Sequence, residues 1–130
     1  ANQIKNRDVI CIDGDGAAIM HLGSLVTIGT QKPNNFKHIL LNNGVHGSVG
    51  NQSSNGHLID FIGIAKAVGY ENTSICNKRN ELNDTLFGAL NSNKLSFLEI
   101  KINTIYRKDL GRPTSTPEEN KNSLMKRILD

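Results

Sequence analysis

Val9-Ile10-Cys11-Ile12-Asp13-Gly14-Asp15-Gly16 passes from a wholly apolar run to alternating acid and glycine. Four consecutive apolar residues, mostly β-branched, read as a strand buried on both faces. The strand runs into Asp13-Gly14-Asp15-Gly16, a turn signal. Residues 17–29 then read as one helix, because Ile19, Leu22, Leu25, Val26 and Ile28 form a broad apolar face and Gly23 permits close packing. Pro33-Asn34-Asn35 ends that unit. Outward from it, residues 36–41 form a second strand, closed by Asn42-Asn43-Gly44. Residues 44–56 are Gly, Ser, Asn and His with almost no bulky apolar residue. A polar loop of that length is functional or mobile, and mobility without ligand is expected.

A third unit starts near Leu58, where Ile59, Phe61, Ile62, Ile64, Ala65 and Val68 predict a helix ending at Gly69. Residues 73–76 read as a short strand and 81–90 as an amphipathic helix. Residues 95–102 begin apolar and then alternate, as a strand does. Strand and helix therefore alternate along the chain. That order predicts an α/β fold, a doubly wound parallel sheet with helices on both faces. Residues 107–117 are irregular and hold two prolines, and a last helix is expected over 118–129 with Thr116 as cap and Pro117 at its first position.

Composition sets outer bounds. A chain of 130 residues supports one core, so 1–130 is read as a single domain with a C-terminal tail, 107–130. Seventeen asparagines lower the apolar share to 37%, still far above a disordered composition. The net charge of +3 comes from scattered basic residues with few aromatics between them, which argues against nucleic acid. No run approaches the roughly 18 apolar residues of a membrane span. Cys11 and Cys76 are not in a CxxC, so both read as buried free thiols in a reducing compartment, and the cytoplasm is expected.

The first strand end is where ligands gather in an open parallel sheet. Helix N–H groups after Gly16 suit a phosphate. Asp15 is surplus to that task, because a bare carboxylate repels phosphate unless a divalent cation lies between them. A dinucleotide GxGxxG needs Gly at Ile19, and a Walker loop needs a GK[ST] ending; both fail. A calcium loop starting at Asp13 needs Glu at Ser24 and fails as well. A phosphoaspartyl phosphatase of the haloacid-dehalogenase kind, with Asp13 as nucleophile, stays open. It lacks the Thr or Val at Ala17 and any later paired acidic motif. A tight turn without ligand also stays open.

Asn42-Asn43 closes the second strand, with Asn43 28 positions after Asp15 (43 minus 15). Gly14-Asp15-Gly16, that gap and then Asn-Asn resembles the motif of the thiamine diphosphate-dependent enzymes. The longer run from Asp13 to Leu25, then Asn42-Asn-Gly-Val-His-Gly-Ser-Val-Gly-Asn-Gln52, is similar to the sulfopyruvate and phosphonopyruvate decarboxylase branch. The tail from Asp109 to Lys121 resembles the phosphonopyruvate side of it. The resemblance implies Mg²⁺ on Asp15, Asn43 and the Val45 carbonyl. It implies thiamine diphosphate against Gly14, Asp15, Gly16, Ala17, Asn43, Val45, His46, Gly47 and Ser48, with Gly47 and Ser48 flanking the reacting carbon, His46 as a substrate or proton-transfer contact, and His46 and Ser48 as the catalytic candidates. It implies non-oxidative decarboxylation of 3-phosphonopyruvate to phosphonoacetaldehyde and CO₂, a step of phosphonate biosynthesis. A sulfopyruvate decarboxylase-type subunit is the alternative.

The family's activating Glu matches none of Glu71, Glu81, Glu99, Glu118 or Glu119. The resemblance therefore places it in a pyrimidine-binding domain outside this chain, on the same or a neighbouring subunit. A homo-oligomer is implied, and the isolated chain is expected to be inactive. The loop departs from the pattern Ser-Val-Gly-Gly-Gln-Pro-Thr: Asn51 replaces a Gly, Ser53-Ser54 replaces Pro-Thr, and Gly47 stands where many relatives carry an acid. Gln52 and His57 are weaker contact candidates. His21 and His38 read as structural. Arg112 reads as a phosphonate contact or an anchor to a neighbouring subunit.

Overall fold

The computed structural model describes residues 1–4, 6–105 and 109–129, and of Leu129 only the backbone. In chain order the elements are β1 (Val9–Gly14), α1 (Asp15–Met20), α2 (Gly23–Gln31), β2 (Phe36–Asn42), β3 (Val45–His46) and β4 (Gln52–Ser53). There follow α3 (Phe61–Val68), β5 (Asn72–Cys76), α4 (Leu82–Leu90), β6 (Ser96–Lys101) and α5 (Pro117–Leu129). The main sheet is parallel throughout, in the order β1-β2-β6-β5, and β3 and β4 form a separate small hairpin. The expected parallel α/β sheet with helices on both faces is present.

Two clusters hold the layers together. On one face α1, α2 and α3 bury Ala18, Leu25, Phe61 and Ala65 against Leu40, Tyr70, Leu95 and Phe97. On the other α4 places Ala89 over Ile39, Cys76, Leu98 and Ile100. Where α2 meets α3, a methyl on Gly29 would overlap the Val68 carbonyl, so the two helices cross at backbone contact. The C-terminal helix starts where expected: Thr116 Oγ1 accepts the Glu119 N–H (3.2 Å), and Glu119 Oε2 accepts the Thr116 N–H (2.7 Å), a reciprocal cap. Arg107 and Lys108, the start of the tail, lie outside the described residues; 109–116 is irregular.

Several local expectations are corrected. β1 is not buried on both faces, because it is an edge strand beyond the reach of α4, and Ile10 and Ile12 are 51% and 67% exposed. The single helix over 17–29 is two, broken at His21 and Leu22, where His21 leaves helical geometry (φ −121°, ψ 33°). The Asp13–Gly16 turn is a direct passage from strand to helix at Asp15. The third helix begins at Phe61, not Leu58, because Asp60 caps it by accepting the Gly63 N–H at 2.8 Å. Strand β6 does not alternate in burial: it lies between β2 and β5, and even Glu99 is buried.

His38 reads as structural and is so placed. It is 4% exposed on β2, with Nδ1 3.2 Å from Tyr70 Oη and rings of Phe36 and Phe97 at its edges. Burial pulls its imidazole below the usual range, and Asp13, 3.6 Å from Nε2, opposes this only in part. A histidine whose folded state prefers the neutral ring contributes stability above its unfolded value and loses it as the pH falls. Between about pH 7.5 and 5.5 the melting temperature should fall, and less steeply in His38→Gln. Equal slopes for the two proteins, measured by circular dichroism, would contradict this placement.

Candidate functional site

The carboxyl ends of β1, β2 and β6 lie side by side, since Gly14 pairs with Leu41 and Asn42 with Lys101. Asp15 leaves β1 as the first residue of α1 and is only 2% exposed. The Ser54 hydroxyl donates to its Oδ2. Among the described residues no Lys, Arg or His is paired with it. A carboxylate removed from water with one hydroxyl partner and no counter-ion carries a desolvation cost, and a cation is what relieves it.

Asn42 lies across Gly56 from Asp15. Asn42 is fully buried; its Oδ1 accepts the Gly44 N–H (3.1 Å) and its Nδ2 donates to the Gly56 carbonyl (2.8 Å) and to Glu99 Oε1 (2.7 Å). Asn43 Oδ1 accepts the Val45 N–H at 3.1 Å. Gly44 turns the chain at φ +71°, a left-handed conformation that glycine adopts freely. Within the expected polar loop the chain forms a short hairpin, β3 with β4. Ser54 N–H donates to the Gly44 carbonyl, so the next pair inward, Val45 with Ser53, is of the non-hydrogen-bonded type. The Val45 N–H therefore points away from β4, to Asn43 Oδ1, and its carbonyl leaves the strand on the same side.

Glycines let these parts converge. A methyl on Gly56 would strike both Asp15 Oδ2 and Asn42 Oδ1. One on Gly16 would strike the His46 ring, and one on Gly44 the His57 ring. The structure thus brings Asp15 together with Asn42, Ser54 and Gly56, and Gly16 with His46. Gly47 is half-buried and Ser48 exposed, both in the short turn after β3. Gln52 and Ala17 are exposed. His21, whose Nδ1 lies 3.3 Å from the Ala17 carbonyl, lines a separate cavity of 260 Å³ under α1 and α2 with Cys11, Asp13 and His38. Arg112 is exposed in the irregular tail.

That separation bears on the phosphatase alternative. Asp13 faces His38 and the cavity, whereas Asp15 faces Ser54 and Gly56. The nucleophile and acid which that reading requires in one pocket point to different places. Cys11 is half-buried and Cys76 buried, and both are free thiols; burial, with Asp13 nearby, pushes the Cys11 thiol up.

Two of the loop departures have a physical account. Asn51 adopts φ +61°, the conformation that Gly would otherwise supply and that Asn tolerates best among side chains. Ser54, in place of the Thr of the expected pattern, keeps a hydroxyl, and that hydroxyl is the Asp15 partner. Sequence reading missed the use of Ser54, Gly56, Asn42 and Glu99. The signal available was an acid and an amide inside otherwise apolar strands.

The three groups expected to hold a cation, the Asp15 carboxylate, the Asn43 amide oxygen and the Val45 carbonyl, all offer oxygen. Hard oxygen ligands of this kind, few in number, suit Mg²⁺, which keeps water and phosphate oxygens in its remaining positions. Among the described residues no group of three or more His, Cys, Asp and Glu forms a softer metal centre. No helix among them is long and apolar enough to cross a membrane.

Comparison with known proteins gives the same region a family. Residues 1–100 match the family described as thiamine pyrophosphate enzyme, C-terminal TPP binding domain. The chain is 38% identical to the phosphonopyruvate decarboxylase of Streptomyces viridochromogenes over 113 residues, which are 87% of this chain and 28% of that protein. It is 38% identical over 85 residues to the sulfopyruvate decarboxylase subunit beta of Methanococcus maripaludis, 65% of this chain and 45% of that one. The fold resembles a transketolase from Campylobacter jejuni subsp. jejuni, with a TM-score of 0.55 and 23% identity over 76% of this chain and 16% of that one. The chain therefore spans less than half the length of these relatives.

Proposed function

This chain belongs to the thiamine pyrophosphate enzyme family as a C-terminal TPP-binding domain, and we propose that it is the diphosphate-binding domain of a 2-oxo acid decarboxylase. What supports the reading is the buried Asp15 carboxylate, without a counter-ion among the described residues, at the strand ends next to Gly56 and Ser54. In this reading Asp15, Asn43 and the Val45 carbonyl hold Mg²⁺, and the cation separates Asp15 from the diphosphate of thiamine diphosphate, the same molecule as thiamine pyrophosphate. Gly14 gives open approach. The N–H groups of Gly16 and Ala17 face the diphosphate oxygens. His46, packed on Gly16, stands between the diphosphate end and the turn of Gly47 and Ser48, and orients the substrate there together with Ser48. When bound, the cofactor supplies the electron sink for the carbanion left as CO₂ departs.

The group that activates the cofactor belongs to a pyrimidine-binding domain of the same or a neighbouring subunit. The working unit in this reading is an oligomer of the full-length protein, in the cytoplasm. The substrate is 3-phosphonopyruvate and the products are phosphonoacetaldehyde and CO₂, supported by the match over 87% of the chain to a phosphonopyruvate decarboxylase. A sulfopyruvate substrate is the second reading, supported by the similarity to sulfopyruvate decarboxylase beta subunits.

The test is CO₂ release by the full-length protein with Mg²⁺ and thiamine diphosphate, on 3-phosphonopyruvate, sulfopyruvate and pyruvate in parallel. The expected kcat/KM for phosphonopyruvate exceeds that for pyruvate by roughly 100-fold, as a site built around a charged group rejects an analogue lacking it. Preference for sulfopyruvate would select the second reading. No turnover of any of the three, with cofactor bound, would sink the decarboxylase proposal.

A further inference from the structure

A buried carboxylate outside the proposed ligand set connects to it. Glu99 is on β6, one strand away from Asn42 and two from Asp15, with a side chain only 3% exposed. Its Oε1 accepts from Asn42 Nδ2 at 2.7 Å and from Lys101 Nζ at 2.6 Å. Glu99 and Lys101 are two apart on one strand and so share a face. The ammonium compensates a charge that would otherwise be buried alone.

We propose that Glu99, clamped by Lys101, is a positioning residue that fixes the Asn42 amide and through it the turn and loop that meet Asp15. An amide can present oxygen or NH₂ in either direction, and its neighbours decide which. A carboxylate only accepts, so Glu99 commits the Asn42 NH₂ to its own side and to the Gly56 carbonyl. The Asn42 oxygen is then left for the Gly44 N–H. A flipped amide would set NH₂ against the Gly44 N–H, donor against donor. Gly44 is the turn residue between Asn43 and Val45. From Gly56 the network continues: its N–H donates to Ser54 Oγ at 3.1 Å, and Ser54 donates to Asp15. Hydrogen bonds run from Lys101 through Glu99 and Asn42 to the Gly56 carbonyl, and from the Gly56 N–H through Ser54 to Asp15, the two halves joined by the backbone of Gly56. The consequence for the cation rests on the reading of Asp15, Asn43 and Val45 given above.

The test uses the full-length protein with E99L, E99Q and K101M. E99L removes the acceptor and leaves Lys101 without its partner, a charge that is 27% exposed and can turn to water, whereas an unpaired charge deep in the interior would be strongly destabilising. E99Q keeps an oxygen at the Oε1 position and serves as the conservative rescue. K101M serves if E99L does not fold. Two readouts are taken. The first is amide hydrogen exchange without any ligand over peptides holding Gly44 and Gly56. E99L should accelerate both sites by about tenfold or more, K101M less, and E99Q least, while peptides in α4 stay as in the parent. The second is the Mg²⁺ concentration needed for half-maximal thiamine diphosphate binding, which E99L should raise by about 10–100-fold, the range found for outer partners of metal ligands.

Unchanged exchange at Gly44 and Gly56 in E99L, or in K101M if E99L is not folded, would overturn the proposal. So would E99Q behaving like E99L. Faster exchange with unchanged Mg²⁺ dependence would overturn its link to the cation. Faster exchange in a protein whose parent form binds no thiamine diphosphate would support the positioning role and overturn the cofactor reading instead.

Discussion

Asp15→Ala in the full-length protein should weaken Mg²⁺-dependent thiamine diphosphate binding by more than about 100-fold, since even outer partners of metal ligands cost 10–100-fold. The carboxylate supplies the one formal negative charge in the proposed ligand set; Asn43 and Val45 contribute neutral oxygens. The same substitution should leave the unliganded protein as stable as before, or more so. Asp15 is 2% exposed, and among the described residues its side-chain partner is the Ser54 hydroxyl alone. Removing a buried charge with so little compensation relieves a desolvation cost, while the methyl of Ala remains in a wall of similar shape. Binding and stability should therefore move independently or in opposite directions. Calorimetric titration and thermal melts of the same preparations check both halves. Parallel losses in affinity and melting temperature would point to a structural role for Asp15.

Phe61→Ala should act in the opposite way, on stability. Phe61 is fully buried at the first turn of α3, in the cluster formed with Leu40, Ala65, Tyr70, Leu95 and Phe97. It links α3 to the central strands at the end of the loop that returns from the site. Truncating a buried Phe to Ala removes its transfer free energy and leaves a cavity, at a cost of about 3–5 kcal/mol. That is a large part of the 5–15 kcal/mol typical of a domain. Urea unfolding followed by circular dichroism should show a lower midpoint with an unchanged slope. A midpoint close to that of the parent would mean that the α3 layer does not support the sheet as described.

The contrast between these residues reflects what a sequence carries. The sheet and its helices were legible because apolar runs such as Val9 to Ile12 and Leu95 to Leu98 have a strand's length and the segments between them a helix's period. The spacing from Gly14-Asp15-Gly16 to Asn42-Asn43 was legible too, since both motifs close strands that prove to be neighbours. What failed was tertiary in origin. A run of apolar residues cannot say whether a strand is central or at an edge, so Ile10 and Ile12 were placed in a core that does not cover them. The helical period continues through His21 and Leu22, so the break between α1 and α2 left no mark. Residues 44–56 lack bulky side chains, yet they fold as a hairpin held by backbone bonds and by the side chains of Asn42 and Asn43. Glu99 read as one polar position in a strand. Its partners, Asn42 and Lys101, come together only across the β2–β6 pairing.

The most direct test of the account is a calorimetric titration of the full-length protein with thiamine diphosphate, once in Mg²⁺ and once in excess chelator. The account predicts saturable binding in Mg²⁺ that is lost in chelator and lost in Asp15→Ala. Equally tight binding in chelator, or in the variant, would contradict a cation held by Asp15 between the carboxyl ends of β1 and β2.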